Sequence, residues 1–289
     1  MKLFLTVTFN GLTLAALYFI VASGFTLIFG LMRTVNLAHG TLYLLGAYIG
    51  YDVADATGNW YLGVIAGTAS MAVFGVVMQK VLLGWMQGQE LRQALITIGL
   101  SIIVADLMLA HWTGLTYQFS PPDYLLGFTR FDLVGGFKGY STYRLFLLGV
   151  AIAIGILLWL LLNRTRFGMM IRAGVDDKEM LGAQGINVPV VFILVFALGA
   201  GLAGFAGVIG GTALSIAPGE DLRYLLSSLV VVIVGGMGSV GGAAIGALLI
   251  GLAEQYGLAY TPDYGVVYTF IIMVAVLAVR PHGILGRKE

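Results

Sequence analysis

Between residues 3 and 32 the chain carries no Asp, Glu, Lys or Arg. A transmembrane helix needs about 20 apolar residues, and as a straight helix this stretch would extend roughly 45 Å against a hydrocarbon core of ~30 Å. It also exceeds the apolar core of a secretory leader, so it reads as a retained helix. Charge-free stretches recur at 34–51, 56–79, 145–163, 180–219, 224–253 and 264–279, while 93–122 carries a single charge, Asp106. A soluble domain would need a charged shell of about 25% of its residues, and only 10% are charged here, with 59% hydrophobic. The apolar runs are continuous, without the alternation of a barrel strand. The expected fold is therefore all-α and polytopic, one transmembrane domain over 1–289.

Proline punctuates the spans. Pro121, Pro122, Pro189, Pro218, Pro262 and Pro281 all fall at span edges or in connections, where a missing N–H costs least. Pro189 suits the first turn of a helix and divides 180–219 into a loop end and one span. The stretch 224–260 reads as a short apolar piece, then "GGMGSVGG" (235–242), then a second helix. Counting these as two passes gives nine crossings, and merging them gives eight. With nine and the N-terminus outside, the inner connections hold Arg33, Lys80, Arg92, Arg164, Arg166, Arg172, Lys178, Arg280, Arg287 and Lys288. The outer ones hold Lys2, Arg130, Lys138, Arg144 and Arg223. That asymmetry follows the positive-inside rule and predicts a cytoplasmic C-terminus.

Several function classes fall away. A net charge of +1 gives no reason to expect nucleic acid as a partner. With no cysteine there is no disulfide, thiolate metal site or thiol nucleophile. His39, His111 and His282 are too scattered to suggest a metal site, and no nucleophile–base grouping or cofactor motif suggests an enzyme. Small residues recur every fourth position at Gly199, Ala203, Gly207 and Gly211, and again at Gly238, Gly242 and Gly246. In lipid such rows let helix backbones approach closely. The glycines of the second stretch (Gly235, Gly236, Gly238, Gly241 and Gly242) read either as tight packing or as a flexible gate.

One sizeable segment is charged: "NRTRFGMMIRAGVDDKEMLGAQGINVP", with a predicted coupling element over about 163–188. A connection of this length without structure would be unusual, and its mixture of charges with Phe167, Met170 and Ile171 suits one or two amphipathic helices on the cytosolic face. The chain has no G-x-x-x-x-G-K-[ST] loop. If ATP drives transport, the nucleotide and its Mg belong to another polypeptide, which this segment would receive. Phe167, Gly168, Met170, Ile171, Arg172, Gly174, Gly182 and Gly185 are the candidate contacts, with Met170 and Ile171 expected to enter a cleft on the ATPase.

Three pieces then look familiar. "GLTLAALYFIVASGFTLIFGLMRTVNLAHGTLYLLGAYIG" resembles the N-terminal signature of LivH-type permeases, the branched-chain amino-acid ABC importer subunits. "RTRFGMMIRAGVDDKEMLGAQGINV" is similar to that family's coupling segment, although it departs from the stricter "EAA" form of other importers, and "GGMGSVGGAAIGALLIGLAEQY" is similar to its glycine-rich penultimate region. The pieces run in order over nearly the whole chain. The resemblance implies a bacterial or archaeal inner-membrane permease paired with a related LivM-type permease. It also implies two cytoplasmic ATPases and a periplasmic or lipid-anchored binding protein. Related permeases carry urea, short amides or aromatic acids, so the family leaves the solute open. No cluster of one charge lines the spans, which favours a neutral or zwitterionic solute.

Four polar residues inside the apolar stretches are the pathway candidates. Asn36 is a suitable N-cap for a helix starting near Leu37, satisfying N–H groups that lipid cannot. His39 lies one turn further on and can bond a neighbouring helix or border the pathway. Asp106 and Glu254 are carboxylates at membrane depth, where ionisable side chains usually face a partner or a cavity. A proton-coupled carrier or channel working through Asp106, Glu254 and His39 is the alternative to an ATP-driven importer.

Overall fold

The computed structural model describes residues 2–32, 36–130 and 139–286. Arg33, Lys138, Arg287 and Lys288 of the topology argument lie outside them, as does most of the turn before Asn36. Every charge-free stretch has its helix. α1 (Lys2–Met32) is the axis, and its span is 89% buried, packed by α5 (Thr142–Arg164), α8 (Val188–Leu214), α9 (Glu220–Gly235) and α10 (Val240–Tyr260). A helix hydrophobic all round belongs in such a centre. α2 (His39–Thr57) and α3 (Trp60–Val77) pack on each other and on α8. A π-helical turn (Met78–Leu83) and a 3-10 turn (Gly84–Met86) prolong α3, so its apolar rod runs Trp60–Met86.

α4 (Glu90–Trp112) and α5 stand at the periphery, each only 17% buried over its span. Among the described residues six helices are long and apolar enough to cross a membrane: α1, α3 with its extension, α4, α5, α8 and α10. α9 and α11 (Gly265–Val279) are shorter, with 16 and 15 residues, and α2, which has 19 residues and contains Asp52 and Asp55, is less apolar. A two-stranded hairpin, β1 (Phe128–Thr129) with β2 (Tyr140–Ser141), leads into α5. No periodicity of the sequence announces it.

Glycine decides how closely these rods approach. A methyl group on Gly207 would run into the Tyr43 carbonyl oxygen of α2, and one on Gly204 into the Gly67 carbonyl of α3. Gly235 and Gly242 face each other backbone to backbone across the α9–α10 turn. That turn is also clamped from outside. Ile284 and Leu285 donate their N–H groups to the Val234 and Gly235 carbonyls at 2.9 Å, and Gly283 and Gly286 close over Gly236. Gly238 abuts Gly30 of α1, while Gly241 keeps room beside Leu285. Gly236 and Gly238 have φ of +108° and +78°, angles at which a side chain is strained. The glycine stretch is thus a packed turn fastened by the C-terminal tail.

Candidate functional site

At the end where α1, α5 and α9 begin and α8 and α10 finish, the helices splay around a cavity of about 250 Å³. Its polar lining is Asn10, Thr13, Arg144, Glu220, Arg223 and Gln255, and its apolar lining includes Leu14, Leu17, Leu147 and Leu214. Helix connectivity puts the α6–α7 segment, between the end of α5 and the start of α8, at the opposite end.

Glu254 does not itself line the cavity but is joined to it through the lining residue Arg223. Its side chain is 6% exposed and accepts from the Tyr18 hydroxyl at 2.7 Å, while its other oxygen lies 3.4 Å from the Arg223 guanidinium. Arg223 also reaches Glu220, one turn earlier on α9, at 3.5 Å. An apolar interior admits such charges only because they are paired and hydrogen-bonded. Arg144 donates to the Asn10 amide oxygen at 2.7 Å and lies over the Tyr140 ring, and among the described residues it has no carboxylate partner. Tyr140 donates to the same Asn10 oxygen at 3.0 Å. The rim contains Ser215, at φ +82° and ψ 169°. This backbone region is nearly reserved for glycine, and its occupation by another residue is held by the surrounding structure. Here the restraint is the antiparallel pair Tyr117–Ile216, with bonds of 2.9 and 2.7 Å.

Of the predicted pathway residues, Glu254 alone belongs to this cluster. Asn36 does not cap α2: Ala38 holds the cap position with no side-chain cap bond, and the Asn36 side-chain oxygen accepts the Ala38 N–H at 3.1 Å in an Asx turn just ahead of the helix. His39 is fully buried, with Nε2 3.0 Å from the Val21 carbonyl and its ring edge-on to Phe25. It ties α2 to α1. Asp106 is exposed on the outer face of α4, among exposed Ile102, Ile103, Leu107 and Leu109. Asp106, Glu254 and His39 thus occupy three separate places, and no hydrogen bond links them among the described residues. Sequence reasoning missed Arg144, Arg223, Glu220 and Asn10 as site residues. The arginines entered it only as topology markers, although the one-turn spacing of Glu220 and Arg223 was legible.

The coupling segment folds as two short helices, α6 (Arg166–Asp176) and α7 (Lys178–Ala183). Each helix start is capped. Thr165 accepts from Gly168 N, Asp177 from Glu179 N and Met180 N, and Asn187 from Val190 N at the start of α8. Caps at three successive starts leave the connector little freedom. Gly168 lets α6 fold back on α5, since a methyl group there would strike the Leu161 and Leu162 carbonyls. Gly174 is buried within α6, Gly182 has room around it, and Gly185 forms the turn into α8 at φ +81°.

Of the predicted docking pair, Ile171 needs correction, since it is turned inward. It is 5% exposed, in an apolar cluster that includes Phe192 and Val195, and the half-buried Phe167 and Met170 pack against that cluster. These side chains fasten α6 to its own membrane helices because the apolar stripe of an amphipathic helix turns toward the nearest apolar surface. The outward apolar groups are Met169 and Met180, 54% and 58% exposed. Arg172 donates to the Asn163 side-chain oxygen at 2.7 Å, an intramolecular strut.

Residues 7–277 match the family described as "Branched-chain amino acid transport system / permease component". The chain belongs to this family. It is 30% identical over 302 residues to the high-affinity branched-chain amino acid transport system permease protein LivH of Salmonella typhimurium, covering 99% of this chain and 96% of that protein. BraD of Pseudomonas aeruginosa, named in the same terms, is 30% identical over 295 residues, 97% of this chain and 95% of that one. LivM of Escherichia coli is more distant, 25% identical over 297 residues, 94% of this chain and 68% of that one. Among solved structures, PsaBC from Streptococcus pneumoniae in complex with Fab matches with a TM-score of 0.50 and 16% identity, covering 94% of this chain and 91% of that one. That likeness concerns the fold. The chain is a multi-pass membrane permease.

Proposed function

We propose that this permease is the membrane-spanning subunit of an ATP-driven importer for branched-chain or closely related amino acids, with ATP and Mg bound on separate ATPase subunits. The observation that carries the reading is the two-ended layout: a charged cavity at one end and a capped, amphipathic α6–α7 segment at the other. A transporter moved by external ATPases needs a solute-facing end and a rigid lever at the opposite one. The LivM relative supports a second, related permease as partner, and a soluble or lipid-anchored binding protein would deliver the solute to the cavity end. This assembly sits in the inner membrane with the N-terminus and cavity outside and α6–α7 in the cytosol, the orientation that the charge asymmetry favours.

The test is reconstitution of the chain with a LivM-type permease, two ATPases and a binding protein in proteoliposomes. ATP-dependent leucine uptake, absent when any one component is left out, is the expected result. Active uptake by this chain alone would overturn the reading. Orientation has its own check, made clean by the cysteine-free background. Single cysteines at Asp55 or Leu126 should react with an impermeant thiol reagent added to intact cells, and one at Glu179 should react only after permeabilisation. Labelling of the Glu179 position in intact cells would reverse the topology.

A further inference from the structure

We propose that the cavity between α1, α5, α8 and α9 is a receptor for the zwitterion of a single aliphatic α-amino acid. It reads both charges of the head group and lays the side chain on a leucine wall. The proposal rests on the permease reading for the solute's identity, but its chemistry comes from the lining. Among the described residues the lining carries Arg144, Arg223 and Glu220, and Glu254, outside the lining but paired with Arg223 at 3.4 Å, brings the sum to zero. A net-neutral zwitterion entering this space keeps the balance, whereas a lone cation or anion would bring an unpaired charge into a site of low dielectric.

The pairing around the cavity is uneven. Glu254 is buried and spent on Tyr18 and Arg223. Among the described residues Arg144 meets a neutral amide and the Tyr140 ring and no carboxylate, so its guanidinium fork can take one, the geometry for which arginine is suited. Glu220 is 30% exposed at the long end of a 3.5 Å pair with Arg223, which Glu254 also neutralises, so it can turn to an ammonium. Leu14, Leu17, Leu147 and Leu214 form the apolar side. A volume of about 250 Å³ lies just below the ~300 Å³ at which small-molecule pockets usually begin, so the cavity suits one small amino acid and excludes a peptide.

The experiment uses a photoreactive diazirine analogue of leucine at millimolar concentration on the reconstituted complex. Labelled residues are mapped by mass spectrometry, and ATP-dependent uptake is measured on the same vesicles. Label is expected on the peptides carrying Leu14, Leu147 or Leu214. Excess L-leucine should suppress it, while isoamylamine and isovalerate, each carrying one of the two charges, should not. Arg144→Gln and Glu220→Gln should each weaken labelling on the order of tenfold, the worth of one charge-assisted hydrogen bond. Label confined to other regions, or equal suppression by the amine or the acid, overturns the proposal, and the competition pattern needs no variant that must fold. If uptake persists while the cavity stays unlabelled, the receptor is wrong and the importer stands. If the cavity is labelled and charge-selective but uptake fails in the complete assembly, the receptor stands and the importer reading falls.

Discussion

Met169→Asp and Met180→Asp are each expected to abolish leucine-stimulated ATP hydrolysis in the reconstituted complex, with a loss of at least about tenfold, while the permease still inserts. Both side chains project from α6–α7 into solvent, 54% and 58% exposed, on a segment whose three helix starts are capped. A contact that transmits nucleotide-driven motion must be stiff, and interface energy usually concentrates in a few apolar anchors that lose about 2 kcal/mol or more on truncation. A carboxylate at such an anchor adds a desolvation cost. Ile171→Asp is the internal control. Ile171 is buried in an apolar cluster of its own chain that includes Phe192 and Val195, so a charge there should loosen α6 and lower the yield of folded permease, where the methionine variants leave it intact. The measurements are ATPase activity with and without loaded binding protein, pull-down of the ATPase, and detergent-solubilised yield. If both methionine variants keep full stimulation, α6–α7 is only a connector.

The division between what the sequence disclosed and what it concealed follows from the solvent. Absence of charge is visible residue by residue, so the apolar helices were legible, and so was the charged connector, read as one or two amphipathic helices and found as two. Helix ends were read less well wherever charges fold inward. α9 begins at Glu220, four residues before the charge-free stretch that predicted it, because the charges of its first turn are paired inside the protein, Arg223 reaching both Glu220 and Glu254. Asn36 was legible as part of the turn before α2, because its acceptor and the Ala38 donor are two residues apart, but the helix starts at His39 with Ala38 in the cap position, two residues beyond the expected start. The cavity was not, since Asn10, Arg144, Glu220 and Gln255 meet only through tertiary packing. Which face of α6 is turned inward also depends on a surface that lies outside its own sequence. Periodicity finds the apolar stripe without saying whether a partner or the same chain covers it, and for Ile171 it is the same chain.

The packing of the membrane core yields the second large effect. Gly207→Ala is expected to destabilise the folded permease by about 3 kcal/mol, the upper end of the usual cost of overpacking, and to prevent its accumulation in the membrane. The added methyl has no side chain to displace. It meets the backbone carbonyl of Tyr43 and the atoms next to it, within α2, so α2 and α8 must move apart as rods. Gly46 lies against the Gly204 backbone on that seam, and Gly204 in turn lies against the Gly67 carbonyl of α3. In lipid, association has no hydrophobic drive of its own and relies on close backbone approach, so separation loses dispersion contacts along the whole helix pair. The same substitution at Gly149 of α5, where a methyl group meets nothing within 4 Å, should be neutral or slightly stabilising, since alanine is the better helix former. Thermal unfolding of the two purified variants in one detergent makes the comparison. Equal midpoints would mean that the α2–α8 seam gives way readily, and that the glycine row records a backbone preference without a packing constraint.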